Sequence, residues 1–501
     1  MNGVAPREEP GDGDAVASLV RAVSDGRRRP VDVVAEHVER CRDSHARLNA
    51  LVQPRFEEAL CEAATCPPGG ALLGLPVSVK ECFAVRGLAT TLGIVSRRGE
   101  RDGHDAEIVA RLRAAGAVVL GKSNVPQAMY LHETDNPVWG RTVHPTRPDR
   151  GPGGSSGGDA ALVADGCVPL AIGNDLAGSI RQPAHACGIV GFLPRRASLG
   201  GGGAFETMPG LAGERSRVGF LVRRVDDAEV ALRALVPPAA TPPASPAEPR
   251  SLRIGWWDEC GPLGAGPAVR RAVAEAVDRL RRSGASVERL DHRVAEEAAW
   301  IHLGFVSADG GRDIRRLFRG ERPMAQVRRL LGIAATPAWA RRILAGACAW
   351  GGRRLEARAL ERTGPRGPRG LAALVDHRAA IDSVVEGWRA RYDAVVCPVS
   401  ALPALRHGTA SRLVLAAAPC LLANLVDLAA GTVPVTRVAP GEERHADRGG
   451  DPIERLASEA EVDSVGLPVG VQVVSLHRAP GIAESVLLAV MRGVESPPIS
   501  P

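Results

Sequence analysis

Gly153-Gly154-Ser155-Ser156-Gly157-Gly158, followed by Asn174-Asp175-Leu176-Ala177-Gly178-Ser179-Ile180-Arg181, is the stretch that the rest of the chain serves. Ser155 and Ser179 stand 24 positions apart in glycine settings, and Lys80 lies 75 positions before Ser155. Glycine lets main-chain N–H groups face a ligand, as a nucleophilic serine with an oxyanion site requires. A serine hydroxyl is a poor nucleophile until a neighbour removes its proton. A lysine does so only when burial or nearby cations lower its pKa.

Lysine usage points the same way. Of 63 basic residues only Lys80 and Lys122 are lysine. Arginine keeps its proton in a protein, whereas a buried lysine can release it. Lys122 is given no chemistry and is expected to be structural.

Together, GGSSGG, the D-x-x-G-S-I-R segment ending at Arg181, and the G-x-P-V-x-V-K segment from Gly74 to Lys80 resemble the amidase signature family. The resemblance implies a Ser–Ser–Lys triad. Ser179 would be the nucleophile, Ser155 the bridging serine after a cis peptide bond, and Lys80 the base. It also places the oxyanion hole on the backbone of Leu176, Ala177, Gly178 and Ser179, with Ser156, Asp175 and Arg181 in support. Ala177 stands where the family usually has glycine, a costly change if the backbone there must be left-handed. Cys187-Gly188-Ile189-Val190-Gly191-Phe192-Leu193-Pro194 resembles the following C-G-x-x-G-L-K-P, with Leu193 in place of lysine, and Arg217-Val218-Gly219-Phe220-Leu221 replaces a G-P-M segment.

The implied fold is an α/β protein with three α/β/α layers, a large mixed sheet covered by helices on both faces, spanning residues 1–501 as one amidase domain. The implied activity is hydrolysis of a carboxylic amide to acid and amine or ammonia through an acyl-enzyme, without metal or organic cofactor. Three other readings stay open at this stage: a catalytically degenerate binding protein on the same fold, an amidotransferase subunit, and an amide-forming biosynthetic enzyme. Asp135-Asn136-Pro137-Val138-Trp139-Gly140-Arg141-Thr142 and residues 422–437 look closest to the fatty acid amide hydrolase branch.

Composition narrows the partners. A net charge of +6 spread over 120 charged groups, with 3% aromatics, gives no footing for nucleic acid. No apolar run reaches the roughly 18–20 residues of a membrane helix. The start of the chain lacks signal-peptide character, and the ten cysteines form no C-x-x-C pair, so a cytoplasmic location is expected. A small-molecule amide is the expected partner, with a homodimer left open.

Two motifs are traps. Gly116 to Ser123 matches the phosphate-loop pattern G-x-x-x-x-G-K-S, but its four middle residues read as the strand itself rather than a loop after one. Gly153 to Gly157 matches the G-x-S-x-G elbow, but the three prolines of 144–152 preclude a strand before it. His132, His144 and His185 show no metal spacing.

In chain order, residues 14–24 and 31–42 read as amphipathic helices and 74–80 as a strand ending on Lys80. Residues 106–115 read as a helix, 117–120 as a strand, and 159–172 as a helix turning into a strand. The proline-rich segment 237–249 reads as a surface loop, followed by a strand at 252–256 and a helix at 267–282. Residues 295–390 form a helical, arginine-rich region, which in the family varies and shapes the substrate entrance. Residues 393–397 and 466–474 read as late strands.

Overall fold

In the computed structural model, residues 14–211, 213–236, 249–445 and 450–495 are described. Most of the proline-rich segment expected as a surface loop, 237–248, falls outside them. Eleven strands come from along the described chain: β1 (Leu51–Pro54), β2 (Pro76–Lys80), β3 (Val118–Ser123), β4 (Leu170–Asp175), β5 (Val190–Leu193) and β6 (Arg217–Val222) from its first half. The second half supplies β7 (Arg253–Trp256), β8 (Ser286–Arg289), β9 (Ala394–Pro398), β10 (Ala430–Arg437) and β11 (Pro468–Ser475). They form one sheet in the order β1-β3-β2-β4-β6-β5-β10-β11-β9-β7-β8. β2 runs parallel to β3 and β4, and β7 to β8 and β9; the other pairings are antiparallel, so the sheet is mixed.

Alternation along the strands assigns two apolar faces. Val77, Val79, Val119, Ile172, Phe220, Val396 and Val473 join Leu112, Leu232, Val273 and Leu487 in one core, beneath helices Glu107–Ala114, Val225–Leu235, Pro267–Arg282 and Ile482–Val494. The intervening residues Val118, Leu120, Ala171 and Leu221 meet Leu162, Ile180 and Ala184 on the opposite face. Farther along that face, Val395, Cys397 and Val474 pack with Ala298 and Leu422. Both faces are therefore covered, which makes the fold a three-layer α/β/α sandwich. It also explains why the central strands read as continuous apolar runs.

β2 is buried along its whole length. With Val77 and Val79 committed to one core, Ser78 and Lys80 must point to the other side, toward the helix Gly157–Ala164 that follows GGSSGG. The strand end thus delivers an ammonium-bearing side chain to the GGSSGG helix.

The expected helix at 267–282 is present as Pro267–Arg282, with Val269, Val273, Val277 and Leu280 buried. The 295–390 region is a set of helices from Arg293–Ser307 to Pro368–Arg389. Many of its charges form part-exposed pairs, such as Arg358 with Glu296 and Arg362 with Glu297. Such pairs contribute only about 0–1 kcal/mol each. Its tryptophans divide: Trp300 is buried and Trp388 packs on Trp257 with ring centroids 5.8 Å apart, whereas Trp339 and Trp350 on helix Ala338–Trp350 are exposed.

Both sequence traps fail on geometry. Val118 to Ser123, including the glycine, lysine and serine of the phosphate-loop pattern, is one buried strand. Lys122 Nζ donates to Ala89 O at 2.6 Å and Thr90 Oγ1 at 2.8 Å and lies 3.6 Å from the Asp102 carboxylate, which is a structural role. Residues 144–154 contain no strand element before Ser155.

Candidate active site

Lys80 ends β2 fully buried, and burial pulls its pKa below the ordinary lysine value although Cys82, Asp159 and Asp175 oppose the shift. Its Nζ lies 2.7 Å from Ser155 Oγ and donates to both oxygens of Asn174, Oδ1 at 2.7 Å and the main-chain O at 3.2 Å. Next to it, Ser78 Oγ donates to Asp159 Oδ1 at 3.1 Å. Burial raises the Asp159 carboxyl to about 7, against the charge of Lys80 and the hydrogen bond of Ser78.

The Gly154–Ser155 peptide bond is cis. Gly154 approaches the 131–133 backbone so closely that a Cβ there would sit 2.7 Å from Leu131 O, and its N–H donates to Gln182 Oε1 at 3.1 Å. Ser156 ties the two serine segments together, its N–H donating to Ser179 O at 3.1 Å. Ser155 and Ser179 line one cavity, although no hydrogen bond joins their hydroxyls among the described residues.

The loop after β4 is shaped by Asp175. Its Oδ1 accepts the Gly178 N–H at 2.7 Å and its Oδ2 the Ile180 N–H at 3.0 Å. Of the four main-chain N–H groups that the resemblance assigns to an oxyanion hole, Gly178's is therefore committed to a carboxylate. Those of Leu176, Ala177 and Ser179 have no acceptor among the described residues. The left-handed residue is Gly178, at φ 91°, where a Cβ would meet Cys420 Cβ at 2.8 Å. Ala177 is not among the positive-φ residues, so its methyl imposes no left-handed cost, and its O accepts from His132 Nε2 at 3.1 Å.

Arg181 and Asp175 form a fully buried pair. Arg181 donates through Nε and Nη2 to the two carboxylate oxygens at 3.1 and 3.0 Å, and through Nη1 to Cys420 O at 2.8 Å and Gln472 Oε1 at 2.6 Å. Asn424 Nδ2 donates to Asp175 Oδ1 at 3.0 Å. Burial by itself would raise the Asp175 carboxyl, but the charge and hydrogen bonds of Arg181 outweigh it and hold the pKa well below the usual range. Stability from this pair is thus present above the unfolded carboxyl's pKa and is lost as pH falls toward the lower folded value. Arg181→Met leaves Asp175 buried and unpaired and is expected to lower unfolding free energy by about 3–5 kcal/mol at neutral pH. Urea titration reads this directly; a change near zero would contradict a supporting role for the pair.

The residues the sequence analysis assigned to a triad and its support thus come together, and Asn174, Asn424 and Gln472 join them unannounced. Of the three histidines singled out in the sequence, His132 lines the cavity and is hydrogen-bonded to the Ala177 carbonyl, whereas His144 is held by Ala186 O and His185 by Leu402 O, with Gly470 N–H donating to its Nδ1.

The cavity over Ser155 and Ser179 has a volume of about 610 Å³. Its walls are mostly apolar and include Leu176, Phe205 and Met208, with Leu303, Ile333 and Leu344 from the arginine-rich helical region. No helix among the described residues is long and apolar enough to cross a membrane.

A family model described as Amidase matches residues 32–479. Fatty-acid amide hydrolase 1 of Sus scrofa is 32% identical over 500 residues, covering 95% of this chain and 84% of that protein. Indoleacetamide hydrolase of Pseudomonas syringae pv. syringae is 37% identical over 284 residues, covering 55% of this chain and 60% of its own. A solved structure of a fatty acid amide hydrolase superposes with a TM-score of 0.82 at 20% identity, covering 96% of this chain and 84% of that one, which speaks to the fold.

Proposed function

Because the chain belongs to the amidase signature family, among whose members amide hydrolases are its relatives, we propose that it hydrolyses a small carboxylic amide through an acyl-enzyme on Ser179, with Ser155 and Lys80 as relay and base. The observation that carries this reading is the setting of Lys80. In its neutral form the amine has two N–H groups, and Asn174 offers two oxygens to receive them. The lone pair is then left for the third neighbour, Ser155 Oγ at 2.7 Å. Burial supplies the lowered basicity that keeps this form accessible.

Proton and electron movements follow. Lys80 accepts the Ser155 proton as Ser155 takes that of Ser179, a link that closes around bound substrate. Ser179 Oγ bonds to the carbonyl carbon, and the C–O π electrons move onto oxygen, facing the open N–H groups of Leu176, Ala177 and Ser179. Each oriented donor is worth roughly 2.7–4 kcal/mol in the transition state. Collapse breaks the C–N bond, and the amine leaves with a proton returned from Lys80 through Ser155. Water then repeats the sequence on the ester and frees the acid. Gly178's N–H is occupied by Asp175 and serves to shape the loop rather than to stabilise the oxyanion.

Hydroxylamine partitioning tests the covalent intermediate. Two amides that share an acyl group but differ in amine are expected to give the same hydroxamate-to-acid ratio, since both pass through one acyl-enzyme. Ratios that change with the leaving amine would contradict it.

A further inference from the structure

The cavity above Ser179 has mostly apolar walls with several polar side chains among them, and two of the polar ones form a buried pair. Glu214, in the segment leading into β6, and His302, on helix Arg293–Ser307, both line it. His302 Nδ1 and Glu214 Oε2 are 2.6 Å apart, with side chains 2% and 1% exposed. Glu214 Oε1 is buried and has no hydrogen-bond partner among the described residues. Arg215, the adjacent cation, directs Nη1 to the main-chain oxygens of Leu211 and Glu214, and its Nε lies 3.9 Å from Glu206, so it leaves that oxygen unanswered.

Position in the fold ties the pair to the nucleophile. Ala299 lies one helical turn before His302, on the same face, and belongs to a small apolar cluster with Ala418 and Leu421 against which Ala177 packs. The helix carrying His302 therefore rests on the loop that carries Ser179. A buried carboxylate oxygen without a donor is costly, and inside a ligand cavity the missing donor is supplied by what binds there.

Resting on the amide-hydrolase reading above, we propose that Glu214 and His302 form a polar subsite that selects amides bearing a hydrogen-bond donor, best an ammonium group, on the chain away from the reacting carbonyl. Oε1 accepts from the donor, and His302 fixes the carboxylate by holding Oε2. The apolar walls take the intervening methylenes. A purely aliphatic amide fills the same space but leaves Oε1 dry and unpaired.

The test compares kcat/KM for ω-amino alkanamides with alkanamides of matched length, and for N-(ω-aminoalkyl) amides with their N-alkyl counterparts, so that the donor is placed on either side of the amide. The wild-type protein is expected to favour the cationic member of at least one matched pair by about tenfold or more, the value of one charge-assisted hydrogen bond. Glu214→Gln should reduce that preference to near one while retaining turnover of the aliphatic member. Preference for the aliphatic member in every pair, or a cationic preference that survives Glu214→Gln, would overturn the subsite. Fluorophosphonate labelling of Ser179 in both proteins separates the outcomes: labelling without the preference removes the subsite alone, and absence of labelling in the wild type removes the underlying hydrolase reading.

Discussion

Ser179→Ala is expected to lower kcat by about 10⁴–10⁶-fold, because the proposed nucleophile is gone and only binding and oxyanion donors remain. The substitution removes one hydroxyl from a residue that is 9% exposed, and the backbone link from Ser156 N–H to Ser179 O does not depend on the side chain. The urea midpoint should therefore stay where it is in the parent protein. Activity within tenfold of wild type would remove Ser179 from the mechanism; loss of activity accompanied by loss of fold would be uninformative and is excluded by the same titration.

Lys80→Ala should cost about 10²–10⁴-fold near neutral pH, the range of a general acid–base group, with part of the loss recovered as pH rises. Recovery is expected because hydroxide can draw the proton from Ser155 once the amine is gone. In the wild type, rate should climb with pH through the lowered Lys80 pKa and then level, since neutral lysine is the active form and burial brings that form within reach. Lys80→Met, which keeps much of the buried volume, guards against a packing effect. A variant whose rate falls but keeps the wild-type pH profile would show that Lys80 acts through structure and not as a base.

How much of this was legible in the sequence depends on how local each signal is. Lys80, Ser155 and Ser179 stand out through the resemblance of three short segments to the family's motifs, each local enough to be seen in the chain itself. The supporting contacts could not: Arg181 meets Gln472 and Asn424 across separations of 291 and 243 residues, where no periodic pattern links them. Asn174 lay inside the quoted stretch, yet its role appears only when the end of β2 is set beside the end of β4. Strands β1, β5, β6 and β8 went unread as strands: β5 and β6 lie within segments noted only for their motifs, and β1 and β8 are short and lie at the two edges of the sheet, β8 being largely exposed and polar, Ser286–Arg289. Leu193, where lysine is usual, is a fully buried strand residue in contact with apolar neighbours, and Arg217 answers main-chain oxygens of Pro194 and Leu428. Packing and main-chain hydrogen bonds thus accommodate both departures from the family pattern. The Glu214–His302 pair was invisible for the same reason as Arg181's partners: its two members come from elements 88 residues apart.

The central claim is that Ser179 is an activated nucleophile. Intact mass after incubation with a fluorophosphonate serine probe tests it most directly, beside Ser179→Ala and Lys80→Ala. A single adduct on the wild-type protein, absent from Ser179→Ala and slowed in Lys80→Ala, is the predicted result. No adduct on well-folded wild-type protein, or an adduct that persists in Ser179→Ala, would contradict the account.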